Sequence, residues 1–403
     1  MEKQEFRAAA SLAAVFSVRM LGLFMIYPVF AALARHLTGA TPYKIGLALG
    51  IYGLTQGTLQ MPFGVLSDRI GRKVVIVLGL ILFGLGSALA ASSSSIDGVI
   101  WGRALQGAGA VGSVILALIA DLTSEHNRTK AMALAGISIG FSFLVAIVTG
   151  PLMAGWTGLS GVFWLMAVLA LLGIAITAFV VPAAPPLQVH PEAQTVPAVL
   201  GATLRNAELL RLNFGIFALH ALLTASFLVV PSLLHGTLDV SSKDQWMVYL
   251  PVLLVSVAIM APAIIVAERY RRTKEVLVAA VAVLAASQLM LAAGGHDINV
   301  LIAAITLFFA AFNVMEAMLP SLVTKTAPSG STGTATGLYS SSQFLGIFAG
   351  GVAGGWVHQV AGTTAVFLFS AAMAFVWLLI AATMRRPSHP ARRVVRRQQS
   401  EGV

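Results

Sequence analysis

Two side chains able to carry a proton sit where water is scarce. Glu316, within Phe312-Asn313-Val314-Met315-Glu316, is the one carboxyl of 15 acids that lies well inside an apolar stretch. His220, within Leu219-His220-Ala221-Leu222, is the one of 8 histidines in a comparable setting. A carboxyl and an imidazole can each take up and release a proton near neutrality, so in apolar surroundings they point to proton carriage. Arg19 and Arg103 also fall inside apolar stretches. A guanidinium in hydrocarbon is costly enough to demand a partner or a water-filled cavity, so both are expected to face inward. Arg19 is a cation that can select anionic substrates or bias the titration of Glu316; Tyr27, Gln56, Gln60, Asn213 and Asn313 are further polar contacts open to a substrate. For each of these, the competing role is packing or an interhelical hydrogen bond. The sequence has no cysteine and no His/Asp/Glu grouping at ligand spacing, which argues against thiolate, metal and nucleophilic chemistry.

The elements that must position these residues follow from composition. The chain is 58% hydrophobic and only 10% charged, too few charges to cover a surface for water. Crossing the hydrocarbon takes about 20 mainly apolar residues, at a rise of about 1.5 Å each. Twelve stretches qualify, near residues 11–35, 43–66, 73–92, 97–121, 130–155, 161–181, 209–235, 244–267, 274–293, 298–323, 330–357 and 361–384, here called spans 1 to 12. They are continuously apolar and do not alternate at period two, which excludes a barrel and predicts an all-α membrane protein. The first span has no short apolar core followed by a small-residue cleavage site, so it is expected to be retained. His220 lies nine residues after Arg211, and Glu316 nine residues before Lys325. Counted at about 1.5 Å per residue, both lie roughly 13 Å from one boundary and are expected at one level.

The net charge of +10 is distributed for topology. With the N-terminus inside, cytoplasmic segments collect 20 of the 25 basic residues, including six arginines after span 12, whereas the outer loops hold Arg35, Lys44 and Lys243. That bias is expected to place both termini in the cytoplasm and removes any need for a nucleic-acid partner. A shift of 200 residues superposes Pro62, Asp68, Arg69 and Arg72 on Pro262, Glu268, Arg269 and Arg272, and Gly150, Gly155 and Trp156 on Gly350, Gly355 and Trp356. The chain therefore divides into a six-helix half, 1–181, a Pro-rich linker, 182–208, a second half, 209–384, and a basic tail, 385–403. Because six is even, the halves are parallel repeats, and substrate sites in such repeats lie near mid-membrane at the interface of the halves.

The loop after span 2 reads Gly64-Val-Leu-Ser-Asp68-Arg69-Ile-Gly71-Arg72-Lys73. It resembles the signature loop of the major facilitator superfamily. The resemblance implies a gate in which Asp68 meets the positive start of span 11, here Ser329-Gly330-Ser331-Thr332-Gly333, and in which Asp121, at the end of span 4, pairs with Arg72. Arg103-Ala-Leu-Gln106-Gly107 is similar to the family's second motif, whose arginine is associated with proton transfer. Gly140, then Gly150-Pro151-Leu-Met-Ala154-Gly155, resembles the family's antiporter motif, with Ala154 in place of one glycine. Phe16-Ser-Val-Arg19-Met-Leu-Gly22 and Gly50-Ile-Tyr52-Gly-Leu-Thr55-Gln56 look like the YajR-type branch of proton-driven drug exporters. Members of that branch often append a ferredoxin-like domain, which this sequence is expected to lack. Gly107, Gly109 and Gly112 have GxGxxG spacing but lie inside a span with no preceding strand, and no Walker-type loop occurs, so ATP is not the expected energy source.

The resemblance and the residues together imply a secondary transporter of the bacterial inner membrane and not an enzyme. It would expel small organic molecules or drugs in exchange for protons by alternating access. Glu316, His220, Arg103 and Asp121 would serve proton coupling. No cofactor beyond the coupling proton is expected; the partners are lipid and the transported molecule, and the unit is a monomer. The alternative from the same residues is a proton-linked importer of a metabolite such as a sugar or organic acid.

Overall fold

The computed structural model of the chain describes residues 1, 3–182, 201, 204–241, 243–294, 297–328 and 331–384. Most of the linker expected at 182–208, the basic tail at 385–403, and Ser329 and Gly330 at the expected start of span 11 lie outside the described residues. Nine helical stretches among the described residues are long and apolar enough to cross a membrane. Two of them, Glu125–Ala175 and Thr332–Ala382, are each broken by one glycine, Gly158 at φ 66° and Gly362 at φ 80°, and supply two crossings apiece. Pro42–Ile70, which carries more polar residues, completes the twelve. The two broken stretches are spans 5 and 6 and spans 11 and 12, so the kinks fall at equivalent places in the two halves. Positive φ is strained for any residue with a Cβ, and glycine at these two turns lets the chain reverse with almost no loop.

Helix starts follow the local chemistry. Thr41 accepts from the Lys44 amide at 3.2 Å with Pro42 next in the first turn, and Ser95 accepts from the Gly98 amide. Asn206 caps Ala207–Leu238, and Asp297 caps Ile298–Thr326. Each occupies an amide that the first turn leaves without a partner. Two spans depart from the continuous helices expected. Span 1 begins at Lys3, stops at Met25 and resumes as a short helix, Phe30–Ala34, because Pro28 offers no amide to continue the ladder. Span 4 consists of Ile96–Ala108 and Gly112–Asp121, separated by Gly109 at φ −74°, ψ 48°.

The halves meet along spans 2 and 11. A Cβ on Gly46 would lie 2.1 Å from the Gly351 carbonyl oxygen, so the two backbones touch where only glycine fits. Contacts between halves tie the side of the bundle opposite the termini. There the Tyr43 amide donates to Gln359, Arg35 donates to Ser232 at 2.7 Å, and Gly155 abuts Lys243. On the termini side, the ion pairs Arg72–Asp68, Arg72–Asp121, Arg211–Glu208 and Lys325–Glu268 each stay within one half. The tryptophans at the shift of 200, Trp156 and Trp356, are both exposed at the far ends of spans 5 and 11, where amphipathic rings suit a membrane interface.

Candidate functional site

The loop between spans 2 and 3 is built around Arg72. Gly71, at φ 103°, ends one helix and starts the next, which swings Arg72 back toward Asp68. Arg72 Nη1 lies 2.7 Å from Asp68 Oδ1 and donates to Ser67 Oγ at 2.7 Å; Nε donates to Asp121 Oδ2 at 2.9 Å. Arg72 and Asp121 are thus joined as the motif implied. Asp68 takes its charge partner from its own loop, while Gly333 near the start of span 11 has open space around it. Lys73 donates to the Val181 carbonyl at 2.9 Å, tying the loop to the end of span 6; Arg69 is exposed, and Gly64 faces open space. The repeat reverses the charges in the second half, where loop Glu268 meets Lys325 of span 10 at 3.0 Å.

Arg103 is 1% exposed and pairs with no carboxylate among the described residues. Its Nε donates to the Ala48 carbonyl at 3.2 Å, its Nη1 to Gln106 Oε1 at 2.9 Å, and its carbon centre lies 4.9 Å from the Tyr52 ring centroid. Gln106 in turn donates to Ser87 at 2.7 Å. These bonds fasten span 4 to spans 2 and 3, the packing role that the sequence left open beside proton transfer. In the antiporter motif, a Cβ on Gly150 would lie 2.4 Å from the Met25 carbonyl oxygen and one on Gly155 would lie 2.5 Å from Lys243 Cβ, whereas Gly140 faces open space. Pro151 continues the helix beside the first contact.

Glu316 and His220 are on neighbouring helices, but they are not a bonded pair. His220 Nδ1 lies 3.3 Å from the Ile216 carbonyl oxygen, its Nε2 lies 2.8 Å from Gln343 Nε2, and its ring lies 5.6 Å from that of Phe312. Phe312 is one turn before Glu316 on span 10, so His220 packs beside the turn that precedes the carboxyl. Glu316 Oε2 is buried with no hydrogen-bond partner among the described residues, and Tyr339 of span 11, also without a partner for its hydroxyl, is within its electrostatic reach.

Of the polar residues expected to line one cavity, Arg19 and Gln56 are bonded to each other, while Tyr27, Asn213 and Asn313 have other surroundings. Arg19 Nη2 donates to Tyr52 Oη at 2.7 Å and to Gln56 Oε1. Tyr27 packs on Phe227 of the other half, at 5.5 Å between ring centroids. Asn313 donates to Ser256 at 2.7 Å, joining spans 10 and 8, and Asn213 is buried in span 7 with its Oδ1 unpartnered among the described residues. Gln60 instead clasps the halves, donating to Ser341 at 2.8 Å. Sequence reasoning missed Gln343, which meets His220, and Tyr339, which lies near Glu316 without bonding it. Both lie on span 11, and their only signal was a polar side chain in an apolar helix.

Residues 12–351 and 245–402 match the Major Facilitator Superfamily. The inner membrane transport protein YajR of Escherichia coli (strain K12) is 45% identical over 389 residues, which are 96% of this chain and 86% of that protein. A tetracycline resistance protein, class B, of Escherichia coli is 34% identical over 141 residues, 34% of each chain. The solved nucleoside transporter NupG shares the fold, with a TM-score of 0.76 at 13% identity over 93% of this chain and 99% of that one. With twelve helical crossings and a signature loop in place, the chain is a membrane transporter that belongs to the major facilitator superfamily.

Proposed function

We propose that the chain is a proton-coupled exporter of small organic molecules in the bacterial inner membrane, with both termini in the cytoplasm, working by alternating access as a monomer. The observation that carries this reading is Glu316, a half-buried residue whose Oε2 is buried with no hydrogen-bond partner among the described residues. A carboxyl kept in an apolar helix without a fixed partner can change protonation without breaking a structural ion pair, as a coupling group must. The close approaches at Gly150 and Gly155 support exchange, since they are the places where helices slide with least obstruction. The kinship over one third of the chain to a resistance protein supports outward transport of small organic compounds. Contacts tying the halves on the side opposite the termini fit a carrier closed to the outside.

The test uses proteoliposomes with an imposed pH gradient and a panel of fluorescent drugs and sugars. Wild-type protein is expected to concentrate a drug against the proton gradient. Glu316→Gln keeps size and hydrogen bonding, so it should retain exchange while losing uphill transport. Uphill pumping by Glu316→Gln with unchanged pH dependence would place the proton elsewhere, with Asp121 and Arg103 next in line. Accumulation of a sugar along the proton gradient would identify an importer.

A further inference from the structure

Three hydrogen-bond donors in the first half are buried together without acceptors. Arg19, 1% exposed, uses Nη2 on Tyr52 and Gln56, but its Nε and Nη1 have no partner among the described residues. Gln56, fully buried, spends its Oε1 on Arg19 and on Tyr52 at 3.2 Å, which leaves its Nε2 without an acceptor. No carboxylate is bonded to Arg19 among the described residues. A buried guanidinium without a counter-charge is expensive, so the cluster is one anion short of balance.

A second feature faces the same nitrogen. The break in span 4 starts a new ten-residue helix, Gly112–Asp121, inside the bundle, with no side chain capping its first turn. A Cβ on Gly112 would lie 3.8 Å from Arg19 Nη1, so the unused nitrogen stands beside the positive end of this helix. Half-helix starts of this kind hold anionic groups of substrates near mid-membrane. Arg103 does not add to the site, because its nitrogens are spent on the Ala48 carbonyl and Gln106.

We infer that Arg19, Gln56 and the start of Gly112–Asp121 form a binding site for the carboxylate of a transported organic monoanion. One full positive charge and one partial helix charge match a single negative charge. A phosphate at about −1.5 to −2 would be left under-neutralised. The inference rests on the transporter reading, since the ligand is the cargo, but binding at this site needs no proton gradient.

The experiment is thermal unfolding of the full-length protein in nanodiscs, titrated with benzoate, naphthoate and decanoate, each against its amide, and with phenyl phosphate. At least one carboxylate is expected to raise the unfolding temperature saturably where its amide does not. Arg19→Gln should weaken that binding at least about tenfold, with Arg19→Lys in between. If Arg19→Gln does not fold, Gly112→Val, which sets bulk beside Nη1, should weaken binding with the arginine retained. The inference fails if no carboxylate exceeds its amide, if phenyl phosphate binds as tightly, or if the Arg19 and Gly112 variants bind like wild type. A protein that pumps neutral drugs under a pH gradient yet fails the carboxylate arms keeps its proton coupling and loses this site alone.

Discussion

His220 is held at both ring nitrogens, and this restricts how it can take a second proton. Nδ1 faces the Ile216 carbonyl and so carries the hydrogen; Nε2 then accepts from the Gln343 amide. A proton arriving at Nε2 would meet that amide N–H, so Gln343 must turn its carbonyl toward the ring for the imidazolium to be satisfied. Protonation of a span 7 residue is thereby coupled to a span 11 side chain. His220→Ala and Gln343→Ala are each expected to shift the pH optimum of transport more than the maximal rate, with the double variant shifted no farther than the larger single one. Additive shifts in the pH profile would show that the two act independently. Glu316 was legible in the sequence because a lone acid in an apolar stretch is conspicuous. Its neighbours were not, because two residues on different helices meet through rotation about the helix axes, which no spacing within one segment encodes.

At the scale of elements, the decisive quantity is how closely helices approach. Span 4 lies so near span 2 that a Cβ on Gly107 would sit 2.2 Å from the Tyr52 carbonyl oxygen. Gly107→Val is therefore expected to lower stability by about 1–3 kcal/mol or to prevent assembly, measured by thermal unfolding in detergent. Gly64→Ala meets open space and should change stability by under about 0.5 kcal/mol, although it belongs to a signature motif. Equal losses for the two variants would contradict this packing. Sequence motifs treat the glycines of the signature loop and of span 4 alike, whereas the structure separates those that touch a backbone from those that do not. The break in span 4 was equally hidden. Ala108-Gly109-Ala110 carries no proline, and a glycine within an apolar run is compatible with continuous helix.

For the whole molecule, the open question is which half-contacts make and break in the cycle. Here the halves are joined on the side opposite the termini and, farther along spans 2 and 11, by Gln60 with Ser341, while the signature loop is paired within its own half through Arg72. In the alternating-access cycle proposed above, the opposite state would join the halves on the termini side, with Asp68 expected to meet the start of span 11 as the family resemblance implies. Asp68→Asn is expected to cut transport strongly with near-normal expression; full transport with unchanged loop accessibility would remove the gate assignment. Orientation has its own check, made clean by the absence of native cysteine. A cysteine at exposed Ser94 should react with an impermeant thiol reagent from outside, and one at exposed Ser124 only after permeabilisation. The reverse pattern would invert the topology.

Composition and spacing alone determined the solvent, the helical class, the twelve crossings and the two-fold repeat, whereas the partnership of Arg72 with Asp121 was implied by the family resemblance. The first four follow from local hydropathy and from recurrence at one shift along the chain, and hydrocarbon permits few alternatives for the backbone. Tertiary structure decided that Arg103 is spent on carbonyls, that His220 bonds Gln343 and not Glu316, and that Arg19 meets Gln56 beside a broken helix. Those outcomes depend on the rotation and depth of one helix against another, set by side-chain volume summed over the whole interface, and a single chain of letters does not carry that sum.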